Sequence, residues 1–157
     1  MSAQKQGESN LVLLSALAAN LGIAVATDRG LIVPNIPSAE RLSMVEMARE
    51  VERVTVTARE GRVQPAETSG GTFTITNVGV FGVDAGTPIL NVGESGILAV
   101  GAIQRRPWVD DDDSIVARWV TTLALSFDHR VADGAEAARF LTDVADILRD
   151  PATALTY

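Results

Sequence analysis

The chemistry available to this sequence concentrates on one residue. His129 is the only histidine among 157 residues, within the stretch Ser126-Phe127-Asp128-His129-Arg130-Val131-Ala132-Asp133-Gly134. An imidazole titrating near ~6.5 is matched to take a proton from a thiol near ~8.5 at neutral pH. The stretch lies between a long apolar run and an amphipathic helical pattern, and loops at strand ends on a rigid sheet commonly mount catalytic groups. The residue types alone leave a second role open, that of a hydrogen-bonded histidine closing a strand. Asp133 is two-sided in the same way. Asp133 and Glu136 make a D-x-x-E pattern opening a helix, so capping is the stronger reading. A carboxylate has two oxygens, and the second could hold a neighbouring arginine or loop. Gly134 allows the backbone a close approach.

Other chemistries find no footing. There is no cysteine, which removes disulfides, thiolate metal sites, iron–sulfur clusters and cysteine nucleophiles together. A single histidine without cysteine leaves too few ligands for a zinc enzyme, so no metal is expected. Gly93-Glu94-Ser95-Gly96 lacks the spacing of a serine-hydrolase elbow. Neither a phosphate-binding G-x-x-x-x-G-K-[ST] nor a G-x-G-x-x-G occurs. Asp110 to Asp113 lack the EF-hand pattern and read as a solvated turn. With 13 basic and 20 acidic side chains the net charge is −7, which argues against nucleic-acid and anionic-membrane partners. The absence of cysteine suits a cytoplasmic location.

The elements that must position His129 follow from patterning. Residues 1–10 read as a polar lead, and the next residues as a short buried helix. Leu11 to Ala26 is too interrupted to span a membrane, and Lys5 with Glu8 makes a weak export signal. Asn20 to Thr27 predicts a strand, Asp28-Arg29-Gly30 a turn, and Leu31 to Val33 a second strand stopped by Pro34 and Pro37. Ser43 and Glu46 form a capping box, with Leu42 and Met47 as its hydrophobic staple. The helix that follows has a stripe including Met44, Val45, Met47, Val51, Val54 and Ala58, and Gly61 ends it. Thr72 to Asn77 alternates, with Phe73 and Ile75 on one face and Thr72, Thr74 and Thr76 on a polar one. The glycine-punctuated Val78 to Gly86 implies close backbone approach. Ile97 to Ile103 predicts a strand buried on both faces. Asp110 to Asp113 predicts a turn leading into one long strand from Ile115 to Phe127. A terminal helix spans Asp133 to Arg149, with Phe140, Leu141, Val144, Ile147 and Leu148 inward.

Four segments in order carry a family likeness. LSFDHRVADG resembles the D-H-R-x-x-D-G signature of the dihydrolipoamide acyltransferase core of 2-oxo acid dehydrogenase complexes. NLGIAVATDRGLIVPNI from Asn20, GTFTITNVG from Gly71 and ILAVGA from Ile97 resemble three further segments of that family. The likeness runs from about Asn20 to the C-terminus. The family shares its fold with chloramphenicol acetyltransferase. The resemblance therefore implies an α/β two-layer sandwich, with a mixed sheet and the helices near 43–60 and 134–149 packed on one face.

The resemblance also implies roles. His129 is expected to be the general base that deprotonates the thiol of coenzyme A, or of dihydrolipoamide in the reverse direction. Thr76 stands where the family usually has a serine donating to the oxyanion, and its extra methyl narrows the site. Asp133 matches an aspartate that fixes the site through an arginine. The implied site lies between subunits of a homotrimer, and trimers build larger hollow cores. The implied partners are the 2-oxo acid dehydrogenase and dihydrolipoyl dehydrogenase components. Residues 1–19 replace a longer N-terminal part that would supply that arginine, so 20–157 is expected to be a shortened catalytic domain. The lipoyl group would come from another domain or chain. An incomplete sheet would expose an edge and an apolar face. A non-catalytic trimerising scaffold, or a coenzyme A-dependent acyltransferase with another acceptor, are the alternatives.

Overall fold

The structure is a computed structural model that describes residues 18–156, and the side chains of 18–154. The expected polar lead and the short helix after it lie within residues 1–17, outside the described residues. The chain forms two compact units, one up to Thr74 and one from Ile75.

In the first unit, β1 (Leu21–Thr27) pairs antiparallel with β2 (Gly30–Ile32). Its other end pairs antiparallel with β3 (Asn35–Ile36). The turn between β1 and β2 falls where the sequence placed it, with Gly30 at φ +116° supplying the conformation that other residues resist. The pairing of β3 between two prolines was not anticipated. It leads into α1 (Met44–Arg59), whose N-cap is Ser43. Glu46 Oε2 accepts from the Ser43 N–H at 2.8 Å, while Ser43 Oγ accepts from the Glu46 N–H at 3.3 Å. At the far end Gly61 adopts φ +69°. There the Arg62 N–H reaches the Thr57 carbonyl and the Gly61 N–H the Ala58 carbonyl, each at 3.0 Å, closing the last turn as a Schellman cap. Ile36, Ala39 and Val54 form the buried core, with Leu42, Met47 and Val51 packed on it. The staple and the middle of the stripe thus face inward. Met44 and Val45 do not, Met44 being 88% exposed. The first turn projects past the edge of the core, so only residues from Met47 onward find apolar neighbours.

The strand β4 (Phe73–Asn77) begins at this unit's boundary. The expected polar face is not uniformly wet. Thr74 is 0% exposed, whereas Phe73, Ile75 and Thr76 are half-buried. Gly22 permits this: a Cβ there would lie 2.5 Å from Thr74 Oγ1, so the threonine fills the space that a side chain would need.

In the second unit, β5 (Gly96–Val100) lies between β4 and β8 (Leu123–Phe127). The β5–β8 pair is antiparallel, with Gly96 opposite Phe127 and Val100 opposite Leu123. Residues Gly96 to Ala99 are all buried, as a strand covered on both faces requires. The expected single strand from Ile115 to Phe127 is two strands. β7 (Ile115–Val120) pairs with β6 (Gln104–Val109) in a separate ribbon, and β8 pairs with β5. The break at Thr121-Thr122 is held by Gly101. The Thr121 hydroxyl donates to the Gly101 carbonyl and the Gly101 N–H donates to Thr122 O, both at 2.9 Å. Gly101 in turn packs on the Asp84 carbonyl and Gly79 on Gly101, the close approaches that the glycine-rich segment implied.

The terminal helix α2 (Gly134–Arg149) packs on β8. Leu141, Val144 and Ile147 are half-buried, but Phe140 is 43% and Leu148 60% exposed. The inward stripe is narrower than the sequence suggested, because a helix lying on one strand covers little more than one row of its side chains.

Candidate active site around His129

The second unit carries all three residues singled out for chemistry. His129 follows β8 by two residues. The ladder runs one rung past the strand, since the Asp128 N–H donates to the Ser95 carbonyl at 2.9 Å. The chain then turns. The Asp128 carbonyl accepts from the Val131 N–H at 2.9 Å and from the Ala132 N–H at 3.3 Å. His129 therefore sits at the crest of a closed turn. It is exposed, and its ring rests near that of Phe127, with centroids 5.7 Å apart and planes 40° inclined. It is not a sealed strand-end histidine.

Asp133 is the N-cap of α2. Its Oδ1 accepts from the Ala135 N–H at 2.8 Å and the Glu136 N–H at 2.9 Å, and Glu136 Oε2 accepts from the Asp133 N–H at 2.9 Å. The capping reading is what the geometry shows. The arginine of the motif turns to a different carboxylate. Asp128 Oδ1 accepts from the backbone N–H of Arg130, and both Asp128 oxygens accept from Arg130 Nε at 2.9 and 3.0 Å. Arg130 Nη2 adds a bond to Oδ2 at 2.5 Å. The Arg130 guanidinium, then its backbone N–H, hold the Asp128 carboxyl down to about 2. Asp128 was not singled out from the sequence. The signal was present, because an aspartate two residues before an arginine can bond both its backbone and its side chain.

Beside this turn lies an open cavity of about 430 Å³, lined by Asn91, Glu94 and Ser95 on one side and Asp128, Arg130 and Val131 on the other. It offers room for an extended group beside the turn that carries His129.

Thr76 is not part of this cluster. The Val78 N–H donates to Val100 O at 3.0 Å and Gly79 backs onto Gly101, so β4 and β5 leave the sheet side by side at one end. β8 runs antiparallel to β5 and delivers His129 at the other end. At ~3.3 Å per residue and ~4.8 Å per strand, the two backbones are roughly 14 Å apart or more within one chain. One chain does not bring hydroxyl and imidazole onto a shared reacting carbon.

Among the described residues no helix is long and apolar enough to cross a membrane.

An exposed imidazole on a strand-to-helix turn of a mixed α/β sheet defines a class, and the comparisons with known proteins fall in it. The profile of the family described as "2-oxoacid dehydrogenases acyltransferase (catalytic domain)" matches residues 1–156. The chain is 48% identical over 132 residues to the dihydrolipoyllysine-residue succinyltransferase component of the 2-oxoglutarate dehydrogenase complex of Bartonella vinsonii subsp. berkhoffii, covering 84% of this chain and 32% of that one. A structure of Azotobacter vinelandii dihydrolipoamide acetyltransferase superposes with a TM-score of 0.80 at 36% identity, over 89% of this chain and 57% of that one. That work concerns a serine, a histidine and an asparagine four positions after the histidine in the catalytic mechanism. The cubic core of a pyruvate dehydrogenase multienzyme complex matches with the same TM-score of 0.80 and identity of 36%, again over 89% of this chain and 57% of that one. The chain belongs to the 2-oxoacid dehydrogenase acyltransferase family and has the chloramphenicol acetyltransferase-like α/β fold of its catalytic cores. It spans a third or less of the length of the curated relatives it matches.

Proposed function

We propose that this chain moves an acyl group between S-acyl-dihydrolipoamide and coenzyme A within a 2-oxo acid dehydrogenase complex core. The observation that carries this reading is the sole imidazole, exposed on a clamped turn beside an open cavity. His129 takes the proton of the attacking thiol as its sulfur bonds to the thioester carbon. The carbonyl π pair moves onto oxygen, and the Thr76 hydroxyl donates to that oxyanion. Collapse of the tetrahedral intermediate breaks the original C–S bond, and the departing sulfur receives the proton from His129. No acyl-enzyme forms, and no metal takes part.

Because Thr76 and His129 stand at opposite sheet ends in one chain, the site pairs His129 of one copy with Thr76 of another. A homotrimer gives each of three interfaces one of each. The β6–β7 ribbon supports association. Its register puts Arg105, Pro107, Val109, Ile115, Ala117 and Trp119 on one face, all exposed. A largely apolar exposed ladder of this kind, with one cation at its end, is a surface that soluble proteins often cover. The His129–Asp133 spacing equals that of the histidine and asparagine named for the Azotobacter enzyme. Asp133 thus joins His129 and Thr76 in the site as the residue that sets the turn. Relatives carry succinyl or acetyl groups, and both fit this chemistry. The lipoyl group comes from another domain or chain. Trimers build a larger hollow core in the cytoplasm, served by the dehydrogenase and dihydrolipoyl dehydrogenase components.

The test is thiolysis of an acyl-dihydrolipoamide by coenzyme A, run beside light scattering. Trimer mass with a rate well above that of His129→Ala is the expected result. A rate equal to that of His129→Ala overturns the reading and leaves the trimerising scaffold. Turnover only with amine or hydroxyl acceptors points to the other acyltransferase.

A further inference from the structure

The two residues flanking His129 are bonded to each other around it. Asp128 spends every polar group it has on this turn. Its N–H goes to Ser95, its carbonyl accepts from Val131 and Ala132, and its carboxylate accepts from the Arg130 backbone and guanidinium. The Asp128 side chain is 17% exposed, whereas that of Arg130 is 90% exposed. An exposed arginine normally gains little by holding one geometry, because its rotamer entropy offsets a surface ion pair. Here the fork binds the same carboxylate whose Oδ1 also fixes the Arg130 backbone, so side chain and main chain are tied at one point. Among the described residues the imidazole between them makes no hydrogen bond or ion pair and rests near the Phe127 ring. Its placement must come from the main chain of the turn.

We propose that Asp128 and Arg130 are positioning residues for His129: the carboxylate–guanidinium fork locks the turn that aims the imidazole, and leaves no uncompensated charge next to it. This rests on His129 being the general base. Aim matters because a displacement of about 1 Å at a reacting group can cost about 10²-fold in rate. Charge balance matters because a bare ion roughly 7 Å away across solvent still biases a titration. The charged groups around the turn are Asp128 and Arg130 on it, Asp133 at the start of α2, and Glu94 across the cavity.

Four variants of the whole chain test the pair: Asp128→Asn, Asp128→Ala, Arg130→Met and, as reference, His129→Ala. The first readout needs no activity. The chain has one histidine, so a single imidazole resonance reports the midpoint of its proton titration. Asp128→Asn bares a cation and is expected to lower that midpoint by about 0.3–0.5 pH units. Arg130→Met bares a carboxylate and is expected to raise it by a similar amount. The second readout is kcat against KM. Asp128→Ala is expected to lose about 10–100-fold in kcat with KM within about twofold. Asp128→Asn keeps an acceptor for the Arg130 N–H but loses the charged fork, and is expected to recover only part of that loss. Midpoints that do not move, or move in the same direction, overturn the proposal, as does an unchanged kcat in Asp128→Ala while His129→Ala is inactive. A His129→Ala variant as fast as the parent overturns the underlying reading instead. If Asp128→Ala is unfolded by circular dichroism, Asp128→Asn and Arg130→Met decide alone.

Discussion

The two long helices start in the same way but follow different stretches of the chain. Ser43 and Glu46 open α1 with a reciprocal capping box, and Asp133 and Glu136 open α2 with another. Ahead of Ser43 the chain only completes a hydrophobic staple, with Leu42 and Met47 on the core of the first unit. Ahead of Asp133 it makes a turn with a doubly bonded carboxylate, an exposed imidazole and an open cavity alongside. The same local device starts a helix against a core in one place and anchors one end of a reactive turn in the other. A cap is thus no sign of function. What distinguishes the second start is what the cap holds still.

The sharpest break of this contrast is His129→Ala, expected to lower the rate of acyl transfer by about 10²–10⁴-fold with unchanged thermal stability. Thr76→Ala comes next, at about 10²-fold in kcat, while Thr76→Ser stays near the parent because the hydroxyl remains. Mixing Thr76→Ala with His129→Ala subunits should restore part of the activity if the site joins two copies, measured by thiolysis after co-refolding. The caps themselves then separate. Ser43→Ala and Asp133→Ala should each cost about 1 kcal/mol in denaturant titration. Only Asp133→Ala should also slow turnover, by about 10-fold or more, because it frees one end of the His129 turn.

The smallest effect is in acid. Ser43 holds the Glu46 carboxyl below its usual range, chiefly through its hydroxyl and then its backbone, and Arg130 holds Asp128 down to about 2. A carboxyl lowered on folding stabilises the protein above its unfolded value and loses that contribution as pH falls through the folded one. For Asp128 the loss falls between about pH 4 and about pH 2. Urea midpoints taken from pH 5 downward should therefore drop less steeply in Asp128→Asn than in the parent.

Much of this was legible beforehand because it is local. Both capping boxes, the Gly61 stop, the Asp28–Gly30 turn and the doubly buried β5 depend on residues within a few positions of each other. The errors share a cause. The run from Ile115 to Phe127 has continuous strand character, and only the distant Gly101 divides it between two partners. Thr74 looked like a wet-face residue, yet a glycine 52 positions earlier makes room to bury it. Met44 and Phe140 fit their stripes, but each lies beyond what the neighbouring surface covers.

By itself the sequence determined the elements, their caps and the one group able to exchange a proton near neutrality, since those follow from dihedral preference, short-range hydrogen bonds and side-chain acidity. Tertiary structure alone decided that the run from Ile115 to Phe127 divides between two partners, that Thr74 is buried, and that Thr76 and His129 end up at opposite ends of the second unit's sheet. Those outcomes depend on strand order and direction, which arise from pairings between residues far apart in the chain and leave no mark on any one segment.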